Sequence, residues 1–306
     1  MLLDGTDEVL VCAVKGNFRI KGIRTTNPVA VGDRVEISLS SSKNGHKDEG
    51  AFIAKVLPRR NYIIRRASNL SKEAHIIASN VDIAALVVTL ANPVTSTTFI
   101  DRFLATAAAY DVEAMIIVNK VDLLTDPESR ELLEAFCFLY STIGYKTLQV
   151  SAKTGEGITT LQDTLKDKIT LLSGNSGVGK SSLINCLMPE LQLKTAEISD
   201  VHNTGMHTTT FSQMFELPQG GWIIDTPGVK GFGTLDMDKR EIDHYFPEIF
   251  ATSQNCRFDD CSHTGEPGCA VAEALDSQQI AQSRYASYIS ILDEVRSTDS
   301  KYRKAQ

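Results

Sequence analysis

The order of two short motifs constrains this 306-residue chain more than any other feature of its sequence. The stretch "SGNSGVGKSS" begins at Ser173, after an apolar run that predicts a strand and before "SSLINCL", which predicts a helix. In that context its glycines let backbone N–H groups surround phosphates, and the helix N-terminus adds favourable partial charge. The tetrapeptide N-K-V-D at 119–122, typical of a guanine-reading loop, comes before this stretch rather than after it. The sequence therefore predicts a nucleotide-binding domain with a permuted chain order.

The phosphate loop predicts specific roles for two side chains. Lys180 is expected to reach the β- and γ-phosphates, and the Ser181 hydroxyl is expected to bind Mg²⁺. The residues predicted to contact the phosphates are Gly174, Asn175, Ser176, Gly177, Val178, Gly179, Lys180, Ser181 and Ser182.

Two further loops predict recognition of the base. The Asp122 carboxylate can accept hydrogen bonds from guanine N1–H and the 2-amino group, which adenine does not offer. "SAK" follows the predicted strand "KTLQV", and the Ala152 amide fits a contact to guanine O6. N-K-x-D alone could merely cap a helix, but all three loops in one chain indicate a guanine nucleotide. The residues predicted to form the base site are Asn119, Lys120, Val121, Asp122, Ser151, Ala152 and Lys153.

The remaining nucleotide loops come last in the chain. Asp225 ends the strand "GWIID" and can hold Mg²⁺ through water, while the Gly228 amide can sense the γ-phosphate. The preceding loop "TGMHTTTF" is suited to supply Thr209 to Mg²⁺, with Thr208 as the next candidate. Such an order is a circular permutation of that of most small GTPases, and it is tolerable because all five loops lie at one sheet edge.

The chain is predicted to contain three domains. Residues 1–68 read as short strands separated by turn residues, which favours an OB-type β barrel that binds RNA, with a plain structural β domain as the alternative. Residues 69–228 alternate strands and helices, as in a doubly wound α/β GTPase domain. Residues 229–306 predict helices around a Cys/His cluster.

Charge is distributed unevenly between these segments. The net charge of −7 argues against a nucleic-acid partner, yet residues 1–70 hold twelve basic and seven acidic residues. "PRRNYIIRR" places four arginines around Tyr62, an arrangement that can contact phosphates and stack on bases. A solvated arginine face around a buried Tyr62 is the alternative.

The cysteine pattern predicts a metal site. Cys256, Cys261 and Cys269 with His263 form a complete tetrahedral set for one structural Zn²⁺. An odd number of clustered cysteines also disfavours disulfides. No ligand position remains open for water, so catalysis at this metal is not expected.

The permuted order, the barrel and the Cys/His cluster together resemble the RsgA family of circularly permuted GTPases. The resemblance rests on "CAVKGNFR", "VGDRV", "NKVDLL", "SAKTGEG", "SGVGKSSLIN", "HTTTF", "DTPG" and the cluster, and it covers nearly the full length. Met206 departs from the family, whose members often carry Arg there. The resemblance implies zinc at the Cys/His positions and GTP hydrolysis during late maturation of the small ribosomal (30S) subunit, with binding to its rRNA.

The hydrolytic group is less defined by the sequence. Val229 occupies the position that holds a water-orienting Gln in Ras-like GTPases, and an apolar side chain cannot orient water. The resemblance implies that His207 could serve instead; a structural or RNA-contacting His207 is the alternative. Rival functions are a permuted GTPase for another RNA substrate, such as the large subunit, and a GTP-responsive RNA-binding scaffold with negligible turnover.

The amino terminus and the apolar runs bear on the compartment. "MLLDGTDEVL" carries acids where a signal peptide would carry bases, and the longest apolar run is far shorter than the roughly 20 residues of a membrane span. We therefore expect a cytoplasmic protein without a membrane partner. We also expect a monomer.

Overall fold

The computed structural model describes residues 1–6, 8–14, 28–39, 51–66, 74–191, 213–225, 237–238 and 240–303. Its contacts divide the chain into two compact units, Met1–Asn80 and Val81–Gln306. The predicted domains at 1–68, 69–228 and 229–306 stay a prediction. No helix in the described ranges is long and apolar enough to cross a membrane.

The helices and strands have the following bounds. The strands are β1 (Cys12–Val14), β2 (Val35–Leu39), β3 (Ala51–Val56), β4 (Tyr62–Arg66), β5 (Ala74–Ser79), β6 (Ile83–Val88), β7 (Glu113–Val118), β8 (Lys146–Gln149), β9 (Ile169–Ser173), β10 (Gln213–Glu216) and β11 (Trp222–Asp225). The α-helices are α1 (Thr97–Ala109), α2 (Pro127–Thr142), α3 (Ile158–Leu165), α4 (Lys180–Leu187), α5 (Pro247–Ser253), α6 (Ala270–Asp276) and α7 (Gln282–Arg303).

The first unit contains short strands, as the sequence predicts. Strand β3 pairs in parallel with β1 and antiparallel with β2, and β4 pairs antiparallel with β5. Ile53 and Ile63 are its most buried large side chains. Among the described residues these strands form two separate sheets. Five short strands are compatible with an OB-type barrel, and closure of the barrel stays a prediction.

A buried ion pair in this unit corrects part of the arginine expectation. Two guanidinium nitrogens of Arg59, Nε and Nη2, donate to the Asp33 carboxylate at 2.6 and 2.7 Å. Ser79 Oγ donates to the same carboxylate at 2.6 Å. The Arg59 side chain is only 7% exposed, so it supports the fold and is not available for phosphate groups. Arg60 remains exposed, and Tyr62 is half-buried rather than fully buried.

The second unit is built on a six-stranded sheet in the order β10-β11-β9-β6-β7-β8. All neighbours are parallel except β10, which pairs antiparallel with β11 at the edge. Every residue of β6 is buried, because helices cover both faces of the sheet. Parallel strands bring their carboxyl ends to one edge, so β7, β8, β9 and β11 all end there. The N-K-V-D, S-A-K, phosphate-loop and D-T-P-G motifs each begin at or just after the end of one of these strands.

Local signals in the sequence explain the two helices that follow β6 and β7. The Ser96 hydroxyl accepts from Phe99 N at the start of α1. The Asp126 carboxylate accepts from Ser129 N at the start of α2, where Pro127 occupies the first helical position. Both helices turn an apolar face to the core, and these faces bury Phe103 and Phe136.

The C-terminal helices pack against α1 of the same unit. Their shared core contains Phe246, Ile249, Tyr288 and Ile291, and it reaches Ala105 of α1. At the edge of this core, Arg102 of α1 also pairs with Glu294 of α7 at 2.5 Å. The Cys/His segment is therefore packed against the sheet-bearing part of the chain.

A buried ionic network fixes that packing. Arg284 of α7 is 1% exposed; its Nη1 donates to Asp101 of α1 at 2.8 Å, and its Nε donates to Glu248 of α5 at 2.7 Å. The Tyr140 hydroxyl of α2 donates to the same Asp101 oxygen at 2.9 Å. Burial raises the pKa of Asp101, although the Arg284 charge opposes that shift. One guanidinium thus connects three helices, and Asp101 extends the connection to a fourth.

We expect Arg284→Ala to lower the free energy of unfolding by about 3–5 kcal/mol, because it leaves buried carboxylates without a partner. The check is urea unfolding followed by the fluorescence of Trp222, the single tryptophan, which lies in the same unit. Arg240→Ala is the control, because Arg240 pairs with Asp238 while 81% exposed. Equal midpoints for the two variants would show that the network contributes no more than a surface ion pair.

Candidate nucleotide and metal sites

The phosphate-loop motif lies where the sequence predicts, between β9 and α4. Gly174 has a φ of 146°, and a Cβ on it would lie 2.4 Å from Val87 O. Gly179 has a φ of 90°, and a Cβ there would lie 2.4 Å from Asn119 Nδ2. Glycine suits both positions, because it adopts a positive φ without strain and has no Cβ to clash with these neighbouring atoms. Helix α4 starts at Lys180, so the free N–H groups of its first turn face this loop.

Lys180 is turned back onto the loop that precedes it. Its Nζ donates to Gly174 O at 2.5 Å and to Asn175 O at 2.9 Å. Burial lowers the pKa of Lys180, and the nearby charge of Asp225 opposes that shift. Asp225 ends β11, beside β9, where it is in register with Leu172. The predicted phosphate-binding lysine and the predicted Mg²⁺ carboxylate therefore belong to one site.

Asn119 joins the base loops to the phosphate loop. Its Nδ2 donates to Val178 O at 2.8 Å, and its Oδ1 accepts from Ala152 N at 3.2 Å. The side chain is 2% exposed. One buried amide thus connects three segments that are far apart in the sequence.

Asp122 is held in place by the second base loop. Ser151 Oγ donates to Asp122 Oδ1 at 2.6 Å, and Lys153 Nζ lies 4.0 Å from Oδ2. The Ser151 hydroxyl also accepts from Thr154 N at 3.1 Å, which orients its proton toward the carboxylate. Hydrogen bonds of this kind fix a carboxylate in the orientation needed to accept paired donors from a base edge.

A cavity of about 300 Å³ opens between these loops. Its lining residues are Asn119, Lys120, Asp122, Leu123, Ala152, Lys153, Gly179 and Ser182. The structure therefore brings the two predicted base loops and the start of α4 together around one space. Val121 is buried beneath it, whereas Ser176 and Gly177 are exposed at the tip of the phosphate loop.

A loop that no sequence motif indicated also reaches this site. Lys120 Nζ donates to Asn92 O at 2.6 Å. Pro93 lies beside the phosphate loop, because a Cβ built on Gly177 would be 3.4 Å from its Cδ. The Asn-Pro dipeptide after β6 marks a turn, but a turn signal carries no information about what the loop contacts.

Several predicted residues lie outside the described residues. They include His207, Thr208 and Thr209, in the stretch 192–212. The T-P-G part of the D-T-P-G motif, at 226–228, and Val229 lie outside them as well. The roles predicted for these residues stay predictions.

The Cys/His cluster is assembled as the spacing predicts. The ligand atoms of Cys256, Cys261, His263 and Cys269 all lie within 4.8 Å of one another. His263 Nδ1 is 3.6 Å from Cys256 Sγ and 3.5 Å from Cys269 Sγ, and these two sulfurs are 4.0 Å apart. With Zn–S near 2.3 Å and Zn–N near 2.0 Å, a tetrahedron places neighbouring ligand atoms roughly 3.5–3.8 Å apart. The donor set fits zinc in both chemistry and spacing.

The protonation of the thiols also matters for this cluster. Burial raises the pKa of the Cys261 thiol to about 12, and the neighbouring Cys269 and Cys256 sulfurs contribute in the same direction. A thiol ligates zinc only after losing its proton, so metal binding here must release protons.

Comparison with known proteins decides the family. The family model described as RsgA GTPase matches residues 56–235, which is more than half of the chain. The chain belongs to the RsgA GTPase family. The resemblance drawn from the motif order is therefore confirmed, and so is the prediction of a GTPase.

Relatives of known name agree with this assignment. The chain is 56% identical over 298 residues to "Small ribosomal subunit biogenesis GTPase RsgA" of Bacteroides fragilis (strain YCH46), covering 97% of this chain and 93% of that protein. It is 58% identical over 294 residues to the protein of the same name from Porphyromonas gingivalis (strain ATCC 33277), covering 95% and 91%.

Solved structures confirm the permuted fold of this RsgA-family chain. The crystal structure of YjeQ from Thermotoga maritima matches with a TM-score of 0.71 and 34% identity, over 95% of this chain and 91% of that one. YloQ, described as a circularly permuted GTPase, matches with a TM-score of 0.70 and 29% identity, over 97% and 90%. The permutation read from the order of the motifs is thus correct.

Base recognition by Asp122 can be tested by substitution. We expect Asp122→Asn to weaken GDP binding about 100-fold or more and to strengthen binding of xanthosine diphosphate, whose 2-oxo group accepts from the new amide. Competition binding of the two nucleotides measures both effects. Asp163→Asn, an exposed position in α3 with the same loss of charge, is the control. Unchanged GDP preference in Asp122→Asn would refute the contact.

Proposed function

We propose that this chain is a GTP hydrolase that binds the small ribosomal subunit and hydrolyses GTP on it during late maturation. The proposal rests on the cavity lined by Asn119, Asp122, Ala152 and Gly179, which joins the base and phosphate loops. The names of the relatives from Bacteroides fragilis and Porphyromonas gingivalis support the choice of ribosomal substrate.

In this proposal, the base loops select guanine and the phosphate loop positions the γ-phosphate. Asp122 would accept from the base, and Ala152, whose N–H donates to Asn119 Oδ1, lines the cavity in which the carbonyl edge of the base would lie. Lys180 exchanges its two loop carbonyl partners for phosphate oxygens. These are positional roles, as expected for phosphoryl transfer, in which catalysis is mainly orientation and electrostatic stabilisation.

The ligands proposed for Mg²⁺ come from three nucleotide loops. Ser181 at the start of α4 and Asp225 at the end of β11 would hold the ion, together with Thr209, which is proposed from the sequence alone. When bound there, Mg²⁺ would supply positive charge against the negative charge that develops on the phosphates during hydrolysis. The Cys256, Cys261, His263 and Cys269 cluster would hold one structural Zn²⁺.

The water-orienting residue is proposed because the sequence has no Gln at the usual position. Val229 cannot orient water, so His207 is assigned this role and intrinsic turnover is expected to be slow. Binding to the subunit would then accelerate hydrolysis by placing His207 beside the attacking water.

The binding partner is proposed from charge and family. The basic N-terminal segment and the zinc-binding segment would contact rRNA, with the exposed Arg60 rather than the buried Arg59 as the candidate for phosphate contacts. We further propose a monomeric, cytoplasmic protein with the three domains predicted above.

The apolar Val229 supports a second candidate function. Val229 also suits a GTP-responsive RNA-binding scaffold that barely hydrolyses its nucleotide. The two functions predict different kinetics on the subunit.

Single-turnover GTP hydrolysis, with and without purified small subunits, distinguishes the two functions. We expect stimulation by small but not large subunits, loss of hydrolysis in Lys180→Ala, and loss of the stimulated rate in His207→Ala. The controls are Lys166→Ala, an exposed lysine on the segment after α3, and His202→Ala, close to His207 in the sequence.

Each contrary outcome has its own meaning. Equal stimulation by large subunits would contradict the assigned substrate, and no stimulation by either would favour the scaffold. Full activity in His207→Ala would remove only the catalytic assignment.

A further inference from the structure

The loop that carries His263 is held by side chains that are not themselves ligands. Glu266 accepts from Ser262 N at 2.9 Å and from Thr264 N at 2.7 Å. The Tyr285 hydroxyl of α7 donates to His263 O at 2.6 Å. His263 itself has a φ of 58°, a left-handed conformation that is uncommon outside glycine. Several contacts therefore hold this one residue in a conformation it would not adopt by default.

The imidazole ring of His263 presents its two nitrogens to different groups. Nδ1 faces the sulfurs of Cys256 and Cys269. Nε2 points the other way, is buried, and has no hydrogen-bond partner within 3.5 Å among the described residues. The nearest carboxylate oxygen is Oδ2 of Asp243, at 3.8 Å. A shift of about 1 Å would make this a hydrogen bond.

The surroundings make Asp243 a specific partner. His263 is 1% exposed and Asp243 is 17% exposed, so little water separates the two groups. Metal-bound histidines almost always donate their second N–H to a carboxylate, a carbonyl or water, which fixes the tautomer and increases ligand basicity. With Nε2–H directed to Asp243, Nδ1 carries the lone pair that a cation requires.

We propose that Asp243 is the positioning residue for His263, holding it in the Nδ1-ligating tautomer and thereby setting zinc affinity. This inference rests on the proposed zinc site. It goes beyond the four ligands, because Asp243 lies outside the ligand loop, in a 3₁₀ turn (Asp243–Tyr245) just before α5.

The location of Asp243 gives the contact a structural consequence. Phe246 and Ile249, directly after the turn, are fully buried in the core that also contains Ala105 of α1. Asp243 is therefore held on a fixed part of the fold, whereas His263 belongs to the loop between α5 and α6. Zinc binding would join these two segments through one carboxylate and one imidazole.

The test is the zinc affinity of the full chain, measured by competition with a chromophoric chelator. We expect Asp243→Ala to weaken zinc binding about 10- to 100-fold. Asp243→Asn should lose less zinc affinity, because its amide oxygen still accepts from Nε2–H. This second variant also tests the proposal if the alanine variant does not fold. Asp260→Ala and Asp260→Asn are matched controls, because Asp260 is an exposed carboxylate within the ligand loop.

A second measurement separates positioning from general stabilisation. In the Co²⁺-substituted chain, Asp243→Ala should alter the visible absorption of the metal, whereas Asp260→Ala should not. Zinc affinities of both Asp243 variants within about threefold of wild type would overturn the inference and leave the zinc site standing. A wild-type chain that binds no zinc would overturn both, without affecting the tests of GTP hydrolysis.

Discussion

The nucleotide site depends on one buried carboxamide. Asn119 donates to Val178 O in the phosphate loop and accepts from Ala152 N in the second base loop. Its own backbone N–H donates to Val88 O at 2.8 Å, so the end of β6 is attached as well. Because both ends of the amide are satisfied in a buried place, its loss would leave several polar groups without partners. The relative placement of base and phosphate loops is therefore fixed by a side chain rather than by chain order.

This explains why a permuted order is compatible with the site, and why the sequence could predict it. Parallel strands place their carboxyl ends at one edge whatever their order, so each motif needs only its own strand and the shared edge. Residues such as Gly174, Lys180 and Asp122 carry local signals, and the structure brings them to the expected place. Helix caps at Ser96 and Asp126 were likewise predictable from local sequence.

Pairs of residues distant in the sequence could not be predicted in this way. The sequence predicts that Arg59, with its neighbouring arginines, contacts RNA, whereas the structure pairs it with Asp33. Nothing near Arg284 in the sequence indicates that it pairs with Asp101 and Glu248. Likewise, nothing near Asp243 in the sequence indicates that His263 Nε2 lies 3.8 Å from its carboxylate. Such contacts arise from tertiary packing, whereas periodicity and motif spacing report only on neighbours along the chain.

The most direct test of the central claim is GDP binding to Asn119→Ala, measured by calorimetry beside Asn255→Ala, an exposed position. Leaving the Val178 carbonyl and the Ala152 N–H unsatisfied costs about 1–3 kcal/mol each, so we expect an affinity loss of about 30-fold or more in a chain that keeps its circular dichroism spectrum. The control should bind GDP as wild type does. Binding by Asn119→Ala within about threefold of wild type would contradict the claim that this amide organises the site.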